Sequence, residues 1–162
     1  MSRTVLVTGG TGFIGSHVAR QLAQRGNRIF LYDQQPAGDQ AKWWLSPVSE
    51  RITFMQGSVE QWPEVMAAVR SVRPDAIVHT AAIGNPAVVQ HKAMLALRVN
   101  VEGSLNLLEA ARLLEIPRIL LFSSIGALPG LRYQPVDTAH PVILPDEGPG
   151  SGFYGEIGRA HV

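Results

Sequence analysis

Gly9, Gly10, Gly12 and Gly15 stand close together between a β-branched run, Thr4 to Thr8, and a helical pattern that runs to Arg25. They satisfy Gly-x-Gly-x-x-Gly through Gly10, Gly12 and Gly15, and Gly-x-x-Gly-x-x-Gly through Gly9, Gly12 and Gly15. Either spacing lets the backbone turn sharply, lets a pyrophosphate approach where a Cβ would obstruct it, and lets helix pack close to strand. The first N–H groups of the following helix lack intrahelical partners and, with the helix dipole, favour an anion. A second apolar run, Arg28 to Tyr32, ends on Asp33. That acid lies about 20 residues beyond the glycines, where a ribose hydroxyl partner is expected. The bland alternative is a tight strand-to-helix turn with a solvated aspartate. Turn, helix and acid together are read as a dinucleotide site.

The type of dinucleotide follows from charge. A carboxylate at Asp33 accepts hydrogen bonds from a ribose diol and repels a 2′-phosphate, which an NADP site usually answers with a nearby arginine. Gln34 and Gln35 follow Asp33, so no cation adjoins it in sequence, and NAD is favoured over NADP. Arg28 is the one cation that could reverse this preference if the chain folds back.

These residues need a scaffold, and the chain alternates strand and helix patterns. Val5, Leu6 and Val7 form an unbroken apolar run, as in a strand covered on both faces. Ile14, Val18, Leu22 and Ala23 recur at helical spacing, and Gly26 closes that helix. From Gln34 to Glu50 the pattern decays around Pro36, Gly38, Pro47 and the paired Trp43-Trp44, which are read as packing under a loop. Ile52 to Gln56 is a third strand. Pro63 sits near a helix start, and Val65, Met66, Val69 and Val72 supply its apolar stripe. Ala76 to Thr80 is a fourth strand. Pro86 to Leu114 carries one long helical pattern with Leu95, Val99, Leu105, Leu108, Ala111 and Leu114 prominent. Ile119 to Phe122 is the fifth strand, ending on Ser123-Ser124. Strands alternating with helices imply right-handed crossovers on a parallel sheet. The expected fold is a Rossmann-like, doubly wound α/β sheet of order 3-2-1-4-5, with the cofactor over the strands' carboxyl ends. After Ser124 the chain is rich in Pro and Gly to Gly152 and has no periodicity, as functional or disordered loops do.

Composition excludes several functions. A formal charge of +1 on 162 residues gives no electrostatic case for a nucleic-acid or membrane partner. There is no cysteine, so disulfides and thiolate metal sites are excluded, and the histidines show no metal-ligand pairing. No metal is assigned. His79, on a buried strand, reads as a packed, hydrogen-bonded residue rather than a catalyst. Met-Ser-Arg leads directly into a core strand without the apolar segment of a signal peptide, so a cytoplasmic protein is expected.

Thr8-Gly-Gly-Thr-Gly-Phe-Ile-Gly15, Asp33, His79-Thr-Ala-Ala82, Asn100-Val-Glu-Gly103, Phe122-Ser-Ser124 and Tyr154-Gly155 occur in one order and spacing. With them the chain resembles the extended short-chain dehydrogenase/reductase family, in its NAD-dependent epimerase/dehydratase branch. The resemblance implies that Gly9, Gly12, Phe13, Ile14 and Gly15 hold the pyrophosphate and Asp33 the adenosine ribose. Ser58 stands where the family often places an aspartate near the adenine, with Val59 beside it. Ala81 and Ala82 would border the cofactor, and Asn100 would buttress the site. Ser124 would bind the reacting substrate oxygen, and Tyr154 would be the proton-transferring base. The implied activity is hydride transfer at a hydroxyl or carbonyl of a small molecule, with nucleotide sugars the commonest substrates of the branch. Homodimers are common among the resembling enzymes.

One departure is serious. The family reads Tyr-x-x-x-Lys, whereas this chain reads Tyr154-Gly155-Glu156-Ile157-Gly158. Bringing a tyrosine from a pKa near 10 to near 7 requires about 4 kcal/mol of phenolate stabilisation, and glycine supplies no charge. Two explanations stand. One is a non-catalytic NAD-binding module. The other, which is preferred, is that residues 156–162 are foreign, because Glu156-Ile-Gly-Arg-Ala-His-Val162 resembles the in-frame translation of a common sequencing adaptor. Residues 1–155 would then form an incomplete NAD(P)-binding domain, truncated before its substrate region, and the 162-residue chain is expected to be inactive and marginally stable.

Overall fold

The computed structural model describes residues 2–124, 135 and 137–139. The order of elements is β1 (Thr4–Thr8), α1 (Phe13–Gln24), β2 (Arg28–Asp33), α2 (Asp39–Leu45), β3 (Ile52–Gln56), α3 (Trp62–Val72), β4 (Ala76–His79), α4 (Pro86–His91), α5 (Ala93–Leu97), α6 (Gly103–Leu113) and β5 (Ile119–Leu121). The five strands form one sheet in the order β3-β2-β1-β4-β5, and every neighbouring pair is parallel. This is the Rossmann-like order expected from the sequence. α1 and α2 pack together on one face of the sheet and α3 and α6 on the other.

The central strand is the driest. Val5, Leu6 and Val7 are buried on both faces, next to Ile29 and Leu31 of β2 and Ile77 of β4. On the α1 side, Val5, Val7, Ile29 and Leu31 meet Ala19 and Ala23, with Leu45 and Val48 completing the cluster. The face α1 turns inward therefore consists of Gly15, Ser16, Ala19 and Ala23. Of the expected stripe, Ala23 is buried, whereas Ile14 is exposed and Val18 and Leu22 are half-buried. Small side chains win that face because the helix lies close to the sheet. Gly26 (φ +87°) ends α1, with Gly26 N–H on Ala23 O at 2.9 Å and Asn27 N–H on Leu22 O at 3.3 Å.

Two other expectations are corrected. The stretch from Gln34 to Glu50 contains α2 and a 3₁₀ segment, Ser46–Arg51, with Pro47 in its first turn. A seven-residue helix that buries only Leu45 gives no periodic signal. The long helix expected over Pro86 to Leu114 is broken at Lys92 (φ −134°, ψ 50°) and by a π turn over Arg98–Glu102. A π turn carries an extra residue per turn and so shifts the face that follows it. α6 buries Gly103, Ser104, Leu107, Ala110 and Ala111, leaving Leu105 and Leu108 exposed. In α3, Val65 and Val69 are buried as expected, joined by Ala68.

Contacts divide the described chain into two compact units. One holds residues up to Ala82 with Glu102–Phe122, including the whole sheet; the other includes Ile83–Val101 with Ser123 and Ser124. No helix among the described residues is long and apolar enough to cross a membrane.

Candidate dinucleotide site

The glycine turn leaves the carboxyl end of β1. Gly9 has φ +64°, and a Cβ there would lie 2.6 Å from the backbone nitrogen of Ala81. A Cβ on Gly15 would collide with the carbonyl oxygen of Gly9, so α1 approaches the turn only because that position is glycine. Gly12 differs. Its Cβ would meet only Gly9 O, at 3.2 Å, and otherwise points into open space where a ligand can approach. The turn is fixed by Gly9 N–H on Tyr32 O (2.9 Å), Gly12 N–H on Gly9 O (3.0 Å) and Ser16 N–H on Gly12 O (3.0 Å). Gly12 is the N-cap of α1, and the helix has neither a side-chain cap nor an acid in its first turn. Its leading N–H groups, on Phe13 and Ile14, are thus disposed to receive an anion. Phe13 turns its ring outward, 77% exposed, so its contribution to such a site is its backbone.

Asp33 ends β2 beside the turn. Its Oδ2 accepts from the Thr11 backbone N–H (3.2 Å) and from the Thr11 hydroxyl (2.6 Å). The hydroxyl bond to the carboxylate belongs to the short, charge-assisted class. Arg28 begins the same strand, paired with Thr4, and its guanidinium lies 5.8 Å from the Phe30 ring. That puts it at the opposite end of β2, about 16 Å from Asp33 at the usual strand rise. The notion that Arg28 could answer a 2′-phosphate is therefore corrected.

Ser58 lies in the turn after β3. Its hydroxyl accepts from Gln34 Nε2 (2.9 Å), its N–H donates to Glu64 Oε2 (2.8 Å), and its carbonyl accepts from the Tyr32 hydroxyl (3.0 Å). Burial, and then the Glu64 charge, pushes the Tyr32 phenol well above its ordinary pKa. Val59 is buried with Gly103 against it, and its carbonyl accepts from Asn106 Nδ2 at 2.9 Å.

Beyond β4, Thr80 ties the turn down. Its N–H (3.1 Å) and hydroxyl (2.7 Å) both donate to Thr8 O. Ala81 is half-buried against Gly9, and Ala82 is exposed. His79 is buried, with Nδ1 2.6 Å from Thr8 Oγ1 and Nε2 3.0 Å from Ser104 Oγ, which makes it the packed, hydrogen-bonded residue expected. The structure thus gathers Gly9, Gly12, Gly15, Asp33 and Ala81 around the β1 and β2 ends.

Asn100 belongs to the second unit. It is buried in the π turn, and its amide pairs with one residue twice: Oδ1 accepts from Ile83 N–H (2.8 Å) and Nδ2 donates to Ile83 O (3.2 Å). Ser124 is half-buried in the same unit. Tyr154, the stretch from Ile125 to Gly152 and the tail 156–162 fall outside the described residues, apart from positions 135 and 137–139.

Sequence reasoning passed over Thr11 and Thr80. The signal for Thr11 was its being the one residue with a functional side chain between Gly9 and Gly12, opposite an acid at the end of the next strand. It also misread Trp43. Trp44 does pack, stacked on His17 (4.4 Å between centroids) with the Arg20 guanidinium 4.0 Å from its ring. Trp43, in contrast, is 72% exposed and lines a cleft of about 450 Å³ with Phe13 and His17.

A parallel sheet of this order, with a glycine turn feeding a helix N-terminus and an acid on the next strand, defines a dinucleotide-binding α/β protein. The profile of the NAD dependent epimerase/dehydratase family matches residues 5–146, and the chain belongs to that family. It is 31% identical over 130 residues to a 3-beta-hydroxysteroid dehydrogenase of Mycolicibacterium neoaurum, covering 78% of this chain and 33% of that protein. It is 30% identical over 139 residues to a putative UDP-glucose 4-epimerase of Methanocaldococcus jannaschii, covering 85% of this chain and 44% of that one. The crystal structure of UDP-glucose 4-epimerase from Brucella ovis in complex with NAD superposes with a TM-score of 0.80 at 26% identity, covering 99% of this chain and 46% of that one. The chain spans less than half the length of each of these proteins.

Proposed function

We propose that this chain is the NAD-binding part of an epimerase/dehydratase-type oxidoreductase acting on a hydroxyl or carbonyl of a small molecule. The observation that carries the reading is the junction of the open Gly12 turn, the uncapped start of α1 and Asp33 held beside them by Thr11. The residues fit a dinucleotide: backbone N–H groups of Phe13 and Ile14 for the pyrophosphate, Asp33 for the adenosine ribose, Ser58 and Val59 toward the adenine, and Ala81 and Ala82 along the cofactor. Asn100 has the buttressing role. NAD is preferred to NADP because Asp33 is an acid with no cation beside it among the described residues.

When bound, the nicotinamide supplies hydride acceptance and return. Tyr154 removes the substrate hydroxyl proton, and Ser124 donates a hydrogen bond to the substrate oxygen as it becomes a carbonyl. Nucleotide sugars lead the substrate classes, since UDP-glucose 4-epimerases recur among the relatives. Two copies pair through helices, consistent with Leu105, 57% exposed, and Leu108 on α6. The compartment is the cytoplasm. The division at Gly155 stays part of this reading, with 156–162 foreign and the 162-residue chain inactive.

Gly158 favours a second reading, an NAD-binding module without chemistry. Calorimetric titration tests the shared core: the chain binds NAD more tightly than NADP, and absence of NAD binding rejects both readings. Reading the uninterrupted locus separates them. A lysine four residues after Tyr154 supports the enzyme, and its absence supports the module.

A further inference from the structure

Asp33 does not stand alone at the end of β2. Two donors of a single residue, the Thr11 N–H at 3.2 Å and the Thr11 hydroxyl at 2.6 Å, converge on one carboxylate oxygen, Oδ2. A backbone N–H and a hydroxyl aimed at one anionic oxygen would serve a phosphate oxygen equally well. We propose that Thr11 is a specificity-determining residue whose two donors form a latent 2′-phosphate subsite that Asp33 keeps filled. This inference rests on reading Asp33 as the ribose partner.

The hydroxyl of Thr11 has one hydrogen, and it is committed to Asp33. What the pair offers an approaching ribose is lone pairs only, on Thr11 Oγ1 and on Asp33 Oδ1, which accepts no hydrogen bond among the described residues. A ribose 2′-hydroxyl can donate to such a surface. A 2′-phosphate brings acceptors and negative charge to the same acceptors and negative charge. The nearby donors do not relieve this. Gln34 Nε2 is turned toward Ser58 Oγ at 2.9 Å and is uncharged, and Arg28 is at the far end of its strand. Thr11 is also β-branched and stiff at χ1, so its hydroxyl holds the carboxylate in one orientation. Removing Asp33 does more than delete a repulsive charge, because it frees two oriented donors at the place the phosphate would occupy.

The test is a double-mutant cycle on the full chain, with Kd values for NAD and NADP measured by calorimetry on the parent, Thr11→Val, Asp33→Ala and the double variant. Thr11→Val is expected to weaken NAD about three- to tenfold while leaving NADP unchanged, and Thr11→Ser to restore NAD, as for loss and return of one typical hydrogen bond. Asp33→Ala is expected to raise NADP affinity about tenfold, and the double variant to show a clearly smaller gain, since the charge is still gone but the freed hydroxyl is missing. Equal NADP gains with and without the Thr11 hydroxyl would overturn the proposal, as would a serine variant that behaves like valine. Thr11→Ala, which adds no bulk, carries the same comparison if the valine variant does not fold. A parent chain that fails to bind NAD at all is a different result, and it rejects the dinucleotide reading itself.

Discussion

The two sides of the sheet are finished to different degrees. Around β1 and β2 the strands are dry, the glycine turn is fixed by three backbone hydrogen bonds, and Asp33 is held by two bonds. Around β5 the strand is three residues long, Leu120 is 52% exposed, and Phe122 beyond it is exposed too. A cleft of about 770 Å³ lies along β4 and β5 and reaches Val5 and Leu22, lined by Val78, Ile119, Leu120 and the arginines Arg3, Arg25 and Arg118. The residues proposed for the pyrophosphate and ribose therefore lie on a side that is packed among the described residues, whereas the β5 side has apolar surface in water.

Substitutions can break or sharpen that contrast. The largest effect is expected for Gly15→Ala. Its Cβ meets the Gly9 carbonyl, so NAD affinity should fall by about 100-fold or more, with about 1–3 kcal/mol of overpacking strain in chemical denaturation. Leu6→Ala, at the centre of the dry side, should cost about 2–5 kcal/mol, while Leu120→Ala on the wet side stays within about 0.5 kcal/mol. Equal costs would erase the difference between the two sides. Asp33→Ala should weaken NAD about tenfold to 100-fold, read by calorimetry, with little change in melting temperature.

A smaller effect is expected from Tyr32. Unfolded, it ionises near pH 10, but burial and Glu64 hold its proton to higher pH in the fold. Below about pH 10 both states are protonated and stability is unaffected; above it the unfolded chain sheds a proton that the fold keeps, so stability falls as pH rises. Thermal melts across that range should show the decline, and Tyr32→Phe should flatten it. The smallest effect on stability is expected for Leu105→Glu on α6, within about 0.5 kcal/mol, although sedimentation should show any dimer shifting to monomer.

The strands were legible because their apolar runs are short and bounded by turn residues, and β1 to β5 fall within a residue of the expected limits. The turn and Asp33 were legible from spacing alone. Helix faces were read less well. Ile14, Leu105 and Leu108 looked like core by their type, yet α1 buries glycine, serine and alanine, and α6 buries the same three types with Leu107, because both lie close to the sheet or its neighbours. Close packing selects small residues, which hydrophobic periodicity undervalues. The break at Lys92 and the π turn at Arg98–Glu102 escaped because an extra residue per turn leaves a run of apolar residues looking continuous. Thr11 escaped because its role depends on a partner 22 residues away, which no local pattern shows.

Amide chemical shifts followed during NAD titration test the central claim most directly. The largest changes are expected at Gly9 through Gly15 and at Asp33, lost together in Gly15→Ala. Saturable binding that leaves those amides unmoved and perturbs the Trp43 cleft instead would contradict it.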